Sequence, residues 1–249
     1  MPVSIKGSGG GSVTLSAAAA ATDTTLTLPN TSGTILQSGT AVTVAQGGTG
    51  AATLTANGAL IGNGTSAVTA VSPTTTGNVL FTTDGSTWSS TAKIVQGTAV
   101  ASTSGTSIDF TGIPSWVKRV TVMFNGVSTS GTSPKLIQLG SGSVTSTGYI
   151  SAGGIIAGAT GFNVASSTAG FIINSNEGAD NIYGSAILNL VTGNTWGACG
   201  TLGDVTGTYV NAYTVSGGVT LSGALDRVRI TTSNGTDTFD AGSINILYE

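Results

Sequence analysis

The stretch Arg227-Val228-Arg229-Ile230-Thr231 alternates polar residues with β-branched apolar ones at a period of two. That is the pattern of a strand with one face in water and the other against a core. A helix needs apolar residues three and four apart, and the 249-residue chain holds little material for one: two Glu, four Lys and two Met against 43 Thr. β-branched side chains lose rotamer freedom in helices and pack well on a pleated surface. The 39 Gly supply turns and weaken any long helix.

Outward from that stretch, eight further segments read as strands: Ser107-Ile108-Asp109-Phe110, Val117 to Phe124, Leu136-Ile137-Gln138-Leu139, Gly170 to Asn174, Ile182 to Val191, Thr208 to Tyr213, Val219-Thr220-Leu221 and Ser243 to Tyr248. Nine strands joined by short polar turns suit a β-sandwich of jelly-roll type over residues 99–249. Its expected core is Phe110, Trp116, Phe124, Phe171, Tyr183, Trp196 and Phe239. Each is worth roughly 1.5–3 kcal/mol when fully buried.

The front of the chain reads differently. Residues 1–98 hold four charged residues, Lys6, Asp23, Asp84 and Lys93, and two aromatics, Phe81 and Trp88. Ser12 to Ser16, Thr25 to Leu28, Thr34 to Gln37 and Ala41 to Val44 read as short strands bounded by turn residues. Ala17 to Ala21 has length for little more than one helical turn. Asn57-Gly58 and Asn63-Gly64 are turn dipeptides, and Gly77 to Phe81 and Asp84 to Trp88 continue the series of small turns and short strands. Ala-Val-Thr recurs at 41–43 and 67–69 without a fixed period, so a regular solenoid is not expected.

Such a region lacks the bulk for a core of its own and needs a staple. With a single Cys, Cys199, and no His, neither an intramolecular disulfide nor a His-bearing metal site is available. Sister copies remain: short Val, Leu and Ala strands from several chains can pool into one narrow core, with Gly and Ala allowing close backbone approach. The expected architecture is all-β: an elongated homotrimer with a short-stranded N-terminal stem and a C-terminal β-sandwich, jelly-roll-like head.

Composition also narrows function. Without His there is no imidazole base and no Ser-His-Asp triad. Seven basic residues and a net charge of −3 do not make a phosphate-neutralising patch, so nucleic acid is not an expected partner. Charged residues make up 7% of the chain, against roughly 25% in ordinary domains. Solubility must then rest on a neutral Ser/Thr/Asn skin, on burial between subunits, or on both. No apolar run nears the ~18–20 residues of a membrane span, and Met1 to Gly11 lacks the layout of a secretory leader. Neither membrane insertion nor export is expected.

Three sets of residues resemble the tail fibres of tailed bacteriophages and prophages. The first is Leu26-Thr27-Leu28-Pro29-Asn30-Thr31-Ser32-Gly33-Thr34-Ile35. The second is Val44-Ala45-Gln46-Gly47-Gly48-Thr49-Gly50 with Asn57 to Thr65, similar to modules that recur in fibre shafts. The third joins Ile108 to Pro114, Val120 to Ser128, Leu225 to Ile230 and Phe239 to Ile246, and is similar to a domain at the end of such fibres. The resemblance implies a homotrimeric virion component, assembled in the bacterial cytoplasm. Residues 1–44 would attach to other virion proteins of tail, baseplate or capsid, 45–98 would form a Gly/Thr-rich shaft, and 99–249 would meet a host-surface polysaccharide or protein. The loop regions 140–169 and 194–217, rich in Gly, Ser and Thr, are the expected carriers of specificity.

Individual residues add no catalytic constellation. Cys199 has no His to activate it and reads as a buried or incidental thiol. Trp196 reads as core ahead of a sugar-stacking platform. Asp226, Asp237 and Asp240 are close enough in sequence to suggest the carboxylate pair of glycoside hydrolysis, but Asp226 precedes a strand and Asn234-Gly235-Thr236-Asp237 is turn chemistry. Gly47-Gly48-Thr49-Gly50 lacks the Lys and following helix of a phosphate loop. Lys118-Arg119 reads as a strand face or an ion pair between subunits. No catalytic residue, metal or cofactor is expected. The leading functional expectation is a non-enzymatic fibre that binds the host surface. The alternatives are a head fibre or decoration protein with a structural role, a polysaccharide depolymerase, and an ice-binding or adhesin repeat.

Overall fold

The computed structural model describes residues 3–6, 8–15, 42–73, 78–82, 85–157, 161–173, 180–204 and 210–249. Among them the chain is almost wholly β, with one 3-10 turn at Val44–Gln46. The chain divides into two units, Met1–Thr55 with Leu60–Thr69, and Ala56–Ala59 with Ala70–Glu249.

In the first unit, β1 (Val3–Lys6) pairs antiparallel with β2 (Ser12–Leu15). The second strand follows from the alternation of Ser12 to Ser16; its partner is an addition to the expected strands. The strand expected at Ala41 to Val44 is corrected: Val42 and Thr43 are irregular, and Val44 enters the 3-10 turn. There the Gln46 side chain folds back to accept from Thr43 Oγ1 at 2.8 Å, and Gly47 closes the turn at φ 81°. The segments Ala17 to Ala21, Thr25 to Leu28 and Thr34 to Gln37 lie outside the described residues. β3 (Ala59–Ile61) and β4 (Thr69–Val71) form a two-stranded ribbon, as do β5 (Asn78–Thr82) and β6 (Trp88–Ala92). Asn57 holds φ 59° in the turn before β3, a conformation Asn tolerates better than most residues.

The remaining strands are β7 (Val95–Gln96), β8 (Val100–Ala101), β9 (Ser107–Thr111), β10 (Arg119–Thr129), β11 (Lys135–Ser141), β12 (Ser143–Val144), β13 (Ile150–Ala157), β14 (Gly161–Ser167), β15 (Phe171–Ile173), β16 (Ile182–Thr192), β17 (Thr195–Asp204), β18 (Asn211–Thr220), β19 (Arg227–Thr232) and β20 (Phe239–Tyr248). Nine of them build one sheet in the order β14-β13-β18-β17-β16-β10-β20-β7, with β8 also on β20. Five build a second sheet, β12-β11-β19-β9, with β15 on β11. Neighbouring strands run antiparallel, for example β10 with β20 and β19 with β9.

Both sheets feed a single buried cluster. Val228 and Ile230 of β19 and Ile137 and Leu139 of β11 join Val120 and Val122 of β10, Leu188 of β16 and Ile244 of β20, all fully buried. Phe110, Phe124, Phe171, Trp196 and Phe239 are buried as expected. Trp116 is partly buried against the cluster, 6.0 Å from the Tyr248 ring. Tyr183 is corrected: it is 40% exposed, on the opposite face of β16 from Ile182 and Ala186.

Several strand expectations change. β10 starts at Arg119 rather than Val117 and runs on to Thr129, with its register shifting between Phe124 and Val127. Tyr213 and Val219, which read as belonging to two strands, lie in one, β18. Gly217 explains this. At φ 150°, a Cβ there would stand 2.3 Å from the Ile150 carbonyl oxygen. The glycine lets β13 close in on β18 at a place where the sequence reads as a turn.

Candidate functional site

Each carboxylate singled out in the sequence has hydrogen-bond partners of its own. Asp226 accepts from Arg227 Nε at 2.7 Å and from the Gly142 N–H at 2.9 Å. The Arg227 guanidinium holds its carboxyl below the usual range. Asp237 accepts from Asn234 Nδ2 at 2.6 Å and from the Ser133 N–H at 3.0 Å, and these bonds lower its pKa. Asp240 accepts from Ser128 Oγ. All three close loops or strand ends. Arg119 pairs within the chain with Glu249, whose backbone carbonyl also takes the N–H groups of Lys118 and Arg119. The regions 140–169 and 194–217, expected as loops, are largely β13, β14, β17 and β18. Trp196 is 2% exposed and belongs to the core. Cys199 is exposed, which corrects the buried alternative.

A polar cluster that sequence reading missed lies inside the two-sheet unit. Lys135, at 1% exposure, shares the inward face of β11 with Ile137 and Leu139. Asp180, just before β16, and Asp204, at the end of β17, are buried at 3% and 1%. Tyr213 of β18 donates to Asp180 Oδ2 at 2.6 Å. Asp204 accepts from the Asn181 N–H at 3.3 Å. Burial pushes the Lys135 ammonium below its ordinary range, and the charges of Asp180, Asp240, Asp204 and Asp237 oppose that shift. Burial raises the Asp180 carboxyl, against the Tyr213 bond. Burial and Asp180 together push the Tyr213 phenol up. Buried charges persist only with partners, and this cluster links β11 of one sheet to the ends of β16, β17 and β18 of the other. Both carboxylates are buried, and their charges act on Lys135 across the two sheets. Among the described residues no group of three or more His, Cys, Asp or Glu is placed to hold a metal ion.

The surfaces turned to solvent are the other place where chemistry can act. On the five-stranded sheet, Arg229 of β19 makes a fork with Asp109, its register partner on β9, at 2.7 and 2.9 Å. Beside it lies the Arg227–Asp226 pair. The nine-stranded sheet differs. In β13, β14, β16, β17 and β18 the one charged residue is Asp204, which points inward. On β17 and β18 the outward residues are mostly Gly, Ala, Ser and Thr, such as Thr201, Thr214 and Ser216, with Cys199 among them, while β13, β14 and β16 add exposed Ile150, Phe162 and Val191. This is an uncharged hydroxyl-bearing face, suited to contact with neutral polar or apolar partners.

No protein-family model, curated protein or solved structure matches this chain.

Proposed function

We propose that this chain is a structural fibre protein of a bacteriophage virion, a homotrimer that recognises the host surface without catalysis. The observation that carries the reading is how the fibre-like segments meet. Ile108 to Pro114, Val120 to Ser128, Leu225 to Ile230 and Phe239 to Ile246 are scattered in sequence, yet Asp109 pairs with Arg229 and Val122 with Ile246. Four separated stretches with one resemblance thus belong to one folded unit. In this reading that unit is the jelly-roll-like sandwich head, residues 45–98 are the shaft, and residues 1–44 dock on tail, baseplate or capsid proteins. Weak single contacts gain strength when three heads share one stem, through effective concentration.

The test is a virus whose copy of the chain lacks residues 99–249. Particles should assemble and fail to adsorb to the host. Particles that adsorb normally would contradict host recognition and leave a decoration role. Reducing ends released steadily from host polysaccharide by the purified chain would contradict the non-enzymatic reading.

A further inference from the structure

Strand β14 ends the nine-stranded sheet, and among the described residues one side of its backbone has no partner strand. Natural edge strands are blunted by Lys, Pro, bulges or short length. β14 runs seven residues, Gly161–Ser167, with neither charge nor Pro. Its Phe162 and Val164 are 70% and 55% exposed, and Ile156, the register partner of Phe162 on β13, is 56% exposed. This apolar edge continues into the uncharged face of β18, β17 and β16. Such a face left in water invites association.

We infer that the outward face of β13, β14, β16, β17 and β18 is a contact surface between copies of this chain, an inference that rests on the oligomeric part of the function proposed above. Size and charge both point to a sister copy. Five strands at about 4.8 Å spacing and roughly 25 Å length give about 600 Å². That is most of the roughly 800 Å² each partner contributes to a standard interface, before the exposed edge is added. Interface centres are depleted of charge, and a chain with 7% charged residues offers its own neutral surface as the match. On β17 and β18 the small outward side chains also let a second backbone approach closely.

Cys199 is a built-in reporter. It is the only cysteine of the chain, it is exposed on this face of the single chain, and its register partners are Ser216 on β18 and Ile187 on β16. The native full-length protein is treated with a maleimide and followed by intact mass, beside the urea-denatured chain. Labelling of the native protein should be roughly a hundredfold slower than of the denatured chain, because it must wait for the interface to open. Thr201→Arg places a charge on the same face at an exposed position. It should release smaller species with a freely reactive Cys199 and an unchanged far-ultraviolet β signature. Native oligomers whose Cys199 labels as fast as the denatured chain overturn this inference alone and leave the trimeric fibre standing. A monomeric full-length chain overturns both. The labelling rate of the unsubstituted protein decides the matter even where Thr201→Arg does not fold.

Discussion

The outward faces of the two sheets follow opposite rules. The five-stranded sheet presents Arg227, Arg229, Asp109 and the neighbouring Asp226, arranged as ion pairs across and along its strands. Five adjacent strands of the nine-stranded sheet present no charge at all, and carry exposed Phe162, Val164 and Ile156 at their free edge. Both sheets bury their inner faces in one cluster, so the difference does not come from the core. One face is built for water and, as inferred above, the other for contact. The low charge content is therefore not spread evenly: these five strands present none, while β10 and β20 at the other side of the same sheet carry Arg119 and Asp240.

The contrast between the sheets is disturbed most severely by Gly217→Ala. The new Cβ would meet the Ile150 carbonyl oxygen at 2.3 Å, with the backbone at φ 150°. Pairing of β13 with β18 should fail, and urea unfolding should show loss of more than about 3 kcal/mol or no cooperative transition. In the other sheet, Ile230→Ala removes a fully buried side chain from the cluster. It should cost about 2–5 kcal/mol in the same measurement, with the Arg229–Asp109 fork intact.

A smaller effect comes from the polar cluster between the sheets. Asp180 has its pKa raised by burial, so the folded chain binds a proton that the unfolded chain has released. Stability should therefore fall as pH rises from the unfolded value of 3.8 through the folded one. Asp180→Asn, which still accepts from Tyr213, should flatten that part of a pH series of urea midpoints. An unchanged slope would remove Asp180 as its source. The smallest effect belongs to the water-built face. Asp109→Ala breaks an exposed fork and should cost at most about 1 kcal/mol, shrinking as salt is raised.

What is legible in the sequence depends on how many residues of a strand declare themselves. Arg227 to Thr232 reads as a strand because its polar and apolar positions alternate, and β19 has those bounds. β17 is hidden because its outward positions include Gly197, Cys199 and Gly203, which read as loop. β13 and β14 are hidden in the same way, and Gly217-Gly218 imitates a turn. The neutrality that conceals these strands is the property that sets their face apart. Lys135, Asp180 and Asp204 are invisible as a cluster because they are far apart in sequence. Only the pairing of Ile182 with Asp204, and the inward direction of β11, brings them under one roof. The carboxylates considered from sequence are near neighbours in the chain but serve separate loops.

If this chain completes itself with copies of itself, its mass in solution must say so. Light scattering on the purified full-length protein, coupled to size-exclusion chromatography, measures that mass directly. A single species of three times the 24.2 kDa chain mass is expected. A well-folded species at the mass of one chain, stable across dilution, would contradict self-assembly and the fibre reading with it.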